Sequence, residues 1–303
     1  MMRPPSLARS GRLMVAALVW FGSAGEAGYR SLPDPDGTDP APVITVSWLQ
    51  RHLNDPDVVV LEAGEGMDYD GGHIRGARRV DVMAFHAQGA SLPDPAVLAT
   101  GFASLGVSDS SRIVIYGDNM SASMIYLALE YIGMGTRTSV LDGGKAAWRA
   151  SGATLSTSSG TYEKGQLRPH PRPGITVDAD WLTSHLHDPS LTIIDARSPE
   201  EYAGTGHMAG NRPGHIPGAH NIQWEDTFDS TGHLRPVAEL RKMFQSAGYV
   251  PGHQLVVYCT VGMRASHLYF VGRVLGYNPR IYIGSMNDWT GTASRPVTRS
   301  AVP

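Results

Sequence analysis

The residues best suited to chemistry stand together in CTVGMR, residues 259–264, where Cys259 is the only cysteine among 303 residues. The apolar run QLVVY before it is typical of a buried strand, and the segment from Ala265 onward has a helical pattern. A strand-to-helix turn directs several backbone N–H groups and the positive end of the helix into one concavity. Gly262 permits dihedrals that other residues resist, and Arg264 adds a permanent positive charge. All of these features stabilise a thiolate, so we expect Cys259 to be a nucleophile.

The length of this turn limits what it can hold. The spacing from Cys259 to Arg264 is C-x4-R, one residue shorter than the C-x5-R loop with which cysteine phosphatases wrap a phosphate group. A tighter loop suits one additional sulfur atom better than a tetrahedral oxyanion, which argues against a cysteine phosphatase or an arsenate reductase. The plainer alternative is a buried structural thiol, because free cysteine packs as a small hydrophobe.

Composition excludes several other classes of function. A formal net charge of −3 gives no reason to expect nucleic-acid binding, which needs a clustered basic face. The 12 histidines are scattered without HExxH spacing, and one cysteine cannot build a thiolate zinc site. We therefore expect no metal, and we expect no organic cofactor because Cys259 would itself carry the sulfur.

The N-terminal residues 1–28 differ from the rest of the chain. MMRPPSLARSGR carries three arginines and no acid, the nine-residue apolar run LMVAALVWF follows, and GSAGEAG supplies small residues for cleavage. This order is that of a secretory signal peptide, and the apolar run is far shorter than the ~20 residues of a stable membrane span. We expect a protein exported to the periplasm, with an uncleaved tether or a wrongly assigned start codon as the alternatives.

The remaining sequence repeats its own layout at a domain-sized offset. ITVSWLQRHLNDP and ITVDADWLTSHLHDP correspond, as do GGHIRGA and PGHIPGA, VIYG and VVYC, and LDGGKAAW and YIGSMNDW. The offset is 133 residues between Trp48 and Trp181 and reaches 142 residues in the later motifs. This indicates a duplicated domain rather than a solenoid repeat.

Each half alternates apolar strand-like runs with helical segments. Such a pattern predicts an α/β fold with a mostly parallel sheet and helices on both faces, and its chemistry lies beyond the carboxyl ends of the strands. The Ser-, Gly- and Pro-rich residues 151–174 are typical of a linker. We therefore predict domains at 43–150 and 175–303.

In these segments the chain resembles the rhodanese family in its tandem, two-domain form. The resemblance covers residues from about 43 to the end and is carried by CTVGMRAS, DARSPEEY, RPGHIPGAHNI, YDGGHIRGA and LDGGKAAW in this order. It implies two tandem rhodanese-like domains and thiosulfate sulfurtransferase activity. Cys259 would take the outer sulfur of thiosulfate, release sulfite and become a persulfide, which cyanide or a cellular thiol then discharges.

The resemblance also implies the residues of the site. The backbone N–H groups of the loop would cradle the persulfide; these belong to Thr260, Val261, Gly262, Met263 and Arg264. Gly117 stands in the first half where Cys259 stands in the second, so the first domain is expected to be catalytically inactive.

Charged residues near the loop admit two interpretations each. Arg197 either meets the sulfonate of the substrate or pairs with a carboxylate such as Asp195 or Glu200. Arg264 either contacts the substrate or braces the loop. His73 and His215 occupy matched turns in the active and the inactive half, which favours an architectural role.

Two departures from the family pattern bear on the substrate and on activity. Relatives that use 3-mercaptopyruvate carry an arginine where this chain has Glu201, and they carry a Ser-Gly-Val-Thr run that the loop lacks. Mercaptopyruvate is thereby disfavoured, but it remains the alternative donor. Ile283 and Met286 stand where relatives usually have Asp and Trp, which supports a third interpretation, a non-catalytic module that binds sulfur or docks a partner.

Overall fold

A computed structural model of the chain describes residue 1 and residues 41–64, 66–86, 89–206 and 210–300. The predicted signal peptide lies outside these ranges except for its first residue. The sheets and helices belong to one unit, Ser31–Pro303. Within the described ranges, no helix combines the length and the apolar composition that crossing a membrane requires.

The first half is a five-stranded parallel sheet with strand order β1-β5-β4-β2-β3. Its strands are β1 (Val43–Ile44), β2 (Val58–Ala63), β3 (Arg78–Val80), β4 (Arg112–Gly117) and β5 (Thr138–Leu141). Its helices are α1 (Val46–His52), α2 (Gly66–Asp70), α3 (Val82–Phe85), α4 (Pro95–Ser104), α5 (Asn119–Tyr131) and α6 (Gly144–Ala150).

The second half repeats this arrangement, with strand order β6-β10-β9-β7-β8 and parallel pairing throughout. Its strands are β6 (Thr176–Val177), β7 (Leu191–Asp195), β8 (Ala219–Asn221), β9 (Gln254–Tyr258) and β10 (Pro279–Tyr282). Its helices are α7 (Ala179–His185), α8 (Pro199–Ala203), α9 (Val237–Ser246), α10 (Met263–Val274) and α11 (Ser285–Gly291). The predicted fold class, two tandem α/β domains with parallel sheets, is confirmed.

Successive side chains of a strand point to opposite faces of the sheet, and both faces are buried because helices pack against each of them. Along β4, Ile113 and Ile115 join the core that also contains α4 and α5, whereas Val114 and Tyr116 join the core beneath α1 and α6. This explains why the central strands have continuous apolar sequences.

Local sequence repeats produce matching local structures in the two halves. Thr45 and Asp178 cap α1 and α7, and each side chain accepts the N–H of the tryptophan three residues later. Each of those tryptophans stacks on a histidine one turn further along, with ring centroids 4.3 Å and 4.0 Å apart.

The two halves share one apolar core, in which α5 packs against α10. The rings of Tyr126 and Phe270 meet edge to face with centroids 5.0 Å apart. His267 of α10 is fully buried at this contact, with Nδ1 3.0 Å from Ser123 Oγ and Nε2 2.8 Å from Thr227 Oγ1. Burial lowers the pKa of His267 to about 4, so the ring is neutral at pH 7.

The predicted linker lies along the first half. The N–H of His170 donates to the carbonyl of Ile132, and that of Arg172 donates to the carbonyl of Tyr131, both at 2.8 Å. Arg172 also pairs with the buried Glu130, Nη1 to Oε1, at 2.5 Å. These bonds hold the segment against α5 and the residues that follow it.

Candidate active site

Cys259 lies where the sequence predicts it, directly after a central strand. β9 ends at Tyr258 between β7 and β10, and α10 begins at Met263. Because parallel strands end at the same edge of the sheet, this position faces the segments that follow the neighbouring strands. The thiol therefore stands in the middle of the carboxyl edge of the second sheet.

The sulfur contacts a backbone donor of its own loop. The N–H of Gly262 donates to Cys259 Sγ at 3.1 Å, and the N–H of Cys259 donates to Ser285 Oγ at 3.0 Å. Cys259 is only 1% exposed. A backbone donor therefore lies at the sulfur, and the role of Cys259 as the nucleophile stays a prediction at this point.

The loop carbonyls are held from the opposite direction by the start of α11. The N–H groups of Met286 and Asn287 donate to the carbonyls of Cys259 and Thr260 at 3.1 Å and 3.0 Å. With its carbonyls bonded to α11, the loop can direct its N–H groups towards the sulfur. Gly262 thus has its N–H at the sulfur, and the cradle formed by all of residues 260–264 stays a prediction.

Gly262 has the conformation that the sequence interpretation requires of it. Its φ is +91°, in the left-handed region, and a Cβ at this position would lie 3.0 Å from both Ile283 Cδ1 and the Ile283 carbonyl oxygen. Ile283 and Met286, which depart from the family pattern, are almost completely buried against this loop. Apolar packing thus replaces the Asp and Trp of relatives.

Arg264 forms a bidentate ion pair with Glu201. Nη1 lies 2.6 Å from Oε2 and Nη2 lies 2.9 Å from Oε1, and Nη2 also donates to Thr260 Oγ1 at 2.7 Å. Burial acts to raise the pKa of Glu201, but the hydrogen bonds and charge of Arg264 outweigh it and hold this pKa below its usual value. Arg264 therefore braces the loop, and its predicted contact with the substrate stays a prediction.

The partner of Arg264 is positioned by a helix cap. Ser198 and Glu201 form a capping box at the start of α8: the N–H of Glu201 donates to Ser198 Oγ and that of Ser198 donates to Glu201 Oε2, both at 3.3 Å. From the sequence, Glu201 is expected only to repel a substrate carboxylate. The order Ser-Pro-Glu-Glu is typical of such a cap, whereas no local signal indicates the ion pair.

Arg197 pairs with Asp195 beneath the loop. Nη2 lies 2.6 Å from Asp195 Oδ2 and also donates to the carbonyl of Gly214 at 2.8 Å. Of the two carboxylates considered, the structure thus shows Asp195 as the partner. Both side chains are almost completely buried. Contact between Arg197 and a substrate sulfonate stays a prediction.

The two matched histidines have equivalent surroundings. His73 stacks on Tyr69 with ring centroids 3.9 Å apart, and His215 stacks on Tyr202 at 3.8 Å. Each Nδ1 lies within hydrogen-bond distance of the carbonyl oxygen of its tyrosine, 3.1 Å and 2.8 Å away. The same packing in both halves fits the architectural role predicted for these residues.

The first half contacts the Cys259 loop. His86, directly after α3, lies with Nε2 3.1 Å from the carbonyl oxygen of Val261. A Cβ added at Gly284 would lie 3.0 Å from Ala90 Cβ, so the same segment also approaches the turn after β10. Sequence reasoning missed His86, because nothing local marks a residue that contacts a loop 175 positions away.

The matching edge of the first half cannot hold a nucleophile at the same place. A Cβ at Gly117 would lie 1.9 Å from the carbonyl oxygen of Ala63. Asp118 follows, and its carboxylate caps α5 by accepting the N–H of Ser121 at 2.8 Å. A cleft of about 790 Å³ opens at this edge, where Lys145 is paired with the buried Glu62. The carboxylate of Asp118 thus stands where the second half carries the loop that follows Cys259.

Comparison with known proteins agrees with this geometry. The model of the rhodanese-like domain matches the chain twice, at residues 45–151 and 178–292. The chain is 31% identical to the sulfur carrier protein TtuD of Thermus thermophilus over 284 residues, which cover 86% of this chain and 97% of that protein. It is 32% identical to a thiosulfate sulfurtransferase of Corynebacterium glutamicum over 285 residues, 85% of this chain and 90% of that protein.

A solved structure shows the same arrangement of domains. The crystal structure of SseA from Escherichia coli, described as a 3-mercaptopyruvate sulfotransferase with the rhodanese fold, has a TM-score of 0.73 to this chain. The identity is 25%, and the match covers 81% of this chain and 99% of SseA. With both halves matched and a cysteine loop at the carboxyl edge of the second sheet, the chain belongs to the rhodanese family of sulfurtransferases.

Proposed function

We propose that the protein is a thiosulfate sulfurtransferase that carries sulfur as a persulfide on Cys259. The observation that carries the proposal is the N–H of Gly262 directed at Cys259 Sγ at 3.1 Å, in a loop of C-x4-R length. A donor so close to the sulfur stabilises negative charge both on the thiolate and on the persulfide that replaces it.

In the first half-reaction, the Cys259 thiolate attacks the outer sulfur of thiosulfate. The new S–S bond to Cys259 forms as the S–S bond of thiosulfate breaks, and sulfite leaves with the bonding electron pair. The products are the Cys259 persulfide anion and sulfite, so charge and atoms balance without a redox partner.

In the second half-reaction, a thiophilic acceptor attacks the outer sulfur of the persulfide. Cyanide gives thiocyanate and a thiol gives a new persulfide, and in each case the thiolate of Cys259 returns as the leaving group. Each half-reaction uses the same sulfur atom, which is ping-pong covalent catalysis.

Thiosulfate is proposed over 3-mercaptopyruvate because of Glu201. This acid stands where mercaptopyruvate-using relatives carry the arginine that grips the substrate carboxylate, and its carboxylate faces the loop through Arg264 and Thr260. The carboxylate of 3-mercaptopyruvate would therefore lack, at this position, the cation that holds it in those relatives. The name of the Corynebacterium glutamicum relative supports thiosulfate, and the description of SseA supports the alternative.

Steady-state kinetics with both donors test this choice. With cyanide as acceptor, we expect kcat/KM for thiosulfate to exceed that for 3-mercaptopyruvate by at least about tenfold. Cys259→Ser is the control and should be inactive with both donors. Equal values, or a preference for 3-mercaptopyruvate, would assign the chain to the other branch.

A second candidate function is that of a sulfur carrier. The first of the two relatives above is named a sulfur carrier protein, and the thiol of this chain is almost completely buried. A carrier would form the Cys259 persulfide once and pass its outer sulfur atom only to a specific acceptor. Burst formation of the persulfide without turnover by cyanide or small thiols would favour this function.

We also propose that the chain is exported to the periplasm. The support is the order of basic, apolar and small residues in 1–28. Mass spectrometry of the N-terminus after expression in a Gram-negative host tests it. We expect cleavage within GSAGEAG, and recovery of only the intact N-terminus from the cytoplasm would contradict export.

A further inference from the structure

We propose that His86, from the inactive half, is a positioning residue that fixes the peptide whose N–H contacts the nucleophile. The proposal rests on the function proposed for Cys259 and goes further by giving the first domain a defined part in it. Two distances carry it: His86 Nε2 lies 3.1 Å from the carbonyl oxygen of Val261, and the N–H of Gly262 donates to Cys259 Sγ at 3.1 Å.

These two contacts belong to a single peptide unit. The carbonyl of Val261 and the N–H of Gly262 are joined through one planar C–N bond, and in a trans peptide they point in opposite directions. A group that holds the oxygen on one side therefore directs the N–H to the other side, where the sulfur lies.

Glycine at position 262 makes such a restraint necessary. With φ at +91° and no Cβ, Gly262 permits the peptide before it to rotate, whereas a bulkier residue would oppose that rotation. A rotated peptide would turn the Val261 oxygen towards a negatively charged sulfur. The hydrogen bond from His86 opposes this rotation from outside the loop.

His86 also strengthens the donor that it orients. A carbonyl can only accept, so Nε2 of His86 carries the proton of this bond. A hydrogen bond accepted at the oxygen polarises the peptide and makes its N–H a better donor. The effect reaches Cys259 although the two side chains do not touch.

The first half holds His86 in place through α3. Asp81 caps this helix by accepting the N–H of Met83 at 3.0 Å, and Phe85 is buried against Phe102 with ring centroids 4.2 Å apart. His86 follows directly and adopts an extended conformation. The contact with Val261 thus comes from an anchored element.

Alkylation of Cys259 tests the proposal without depending on the sulfur donor. We expect His86→Phe, which keeps a ring but removes the donor, to slow alkylation by iodoacetamide at pH 7 by about three- to tenfold, the worth of one hydrogen bond. His86→Gln keeps an N–H donor at similar reach and should recover most of the rate. The kcat for sulfur transfer should fall in His86→Phe and recover in His86→Gln, as the alkylation rate does. The KM for the sulfur donor should change little.

His233→Phe is the matched control. His233 also reaches from one half to the other, with Nδ1 3.0 Å from Asp142 Oδ2, but at the edge without a thiol. It should leave alkylation unchanged. The proposal would be overturned if His86→Phe is alkylated at the same rate as the wild type. It would also be overturned if His86→Phe and His86→Gln slow alkylation equally and both have a lower Tm. If the wild-type protein is alkylated at Cys259 but takes no sulfur from thiosulfate, thiosulfate is not its donor. The alkylation rates of the variants would still decide the role of His86.

Discussion

Glu201 and Arg264 form a bidentate pair that ties the catalytic loop to the first turn of α8, with N–O distances of 2.6 Å and 2.9 Å. The two side chains are only 14% and 21% exposed, so each charge depends on the other for compensation. Removing Arg264 alone would leave a carboxylate beside the cradle of a sulfur anion. The pair therefore joins loop stability to the reactivity of Cys259.

We expect Arg264→Ala to lower the free energy of unfolding by about 1–2 kcal/mol and to slow persulfide formation. The double variant Glu201→Gln/Arg264→Ala should regain at least half of both losses, because no uncompensated charge remains. Urea unfolding of the wild type, the two single variants and the double variant gives the coupling energy. Strictly additive losses would show that the two side chains act independently.

The conformation of Gly262 predicts a loss of activity on adding a single methyl group. Gly262→Ala forces alanine into the left-handed region, at a cost of about 1–2 kcal/mol, and brings Cβ to 3.0 Å from Ile283. We expect the rate of persulfide formation to fall at least about tenfold as the N–H leaves the sulfur.

Gly276→Ala is the control for backbone strain. Gly276 has a φ of +77°, but a Cβ there meets nothing within 4 Å, and the residue follows the far end of α10. It should lose similar stability and keep its activity. If both variants keep full activity, the N–H of Gly262 contributes nothing to catalysis.

A thiol placed in the first half should not create a second site. In Gly117→Cys, Cβ would lie 1.9 Å from the carbonyl oxygen of Ala63, so we expect a loss of at least about 2 kcal/mol of stability. Combined with Cys259→Ser, the variant should gain no sulfur from thiosulfate. Sulfur transfer by this double variant would show that the first half has retained a working cradle.

The buried imidazole of His267 predicts a pH-dependent stability. Burial lowers its pKa to about 4, whereas an unfolded chain has a histidine pKa of about 6.5. Its contribution is therefore fully present above pH 6.5 and is lost as the pH falls towards 4, amounting to about 2 kcal/mol between pH 7 and pH 5. Urea unfolding of the wild type and of His267→Gln at pH 7 and at pH 5 measures this loss. The variant should lose less stability than the wild type on acidification. Identical losses would show that His267 is not the cause of the pH dependence.

The sequence was sufficient to predict those parts of the fold that depend on local pattern. Apolar runs such as QLVVY mark the central strands, Gly262 marks the turn after one of them, and paired motifs reveal the duplication. The strand and turn signals each lie within about ten residues, where chain geometry alone relates a pattern to an element. The duplication is visible because each of its motifs is equally short and occurs twice.

The contacts that complete the site could not be predicted in this way. Arg264 and Glu201 are 63 residues apart, and His86 and Val261 are 175 residues apart. These residues meet only because the strand order and the packing of α5 on α10 bring separate edges together. Residue types alone therefore left the roles of Arg197 and Arg264 open between substrate binding and ion pairing.

Sulfur transfer through Cys259 is tested most directly by the intact mass of the protein after incubation with thiosulfate. We expect wild type to gain one sulfur atom, about 32 Da, as a persulfide that cyanide removes, and Cys259→Ser to gain nothing. The proposed sulfur transfer through Cys259 is contradicted if wild type gains no mass with thiosulfate, or if Cys259→Ser gains as much sulfur as wild type.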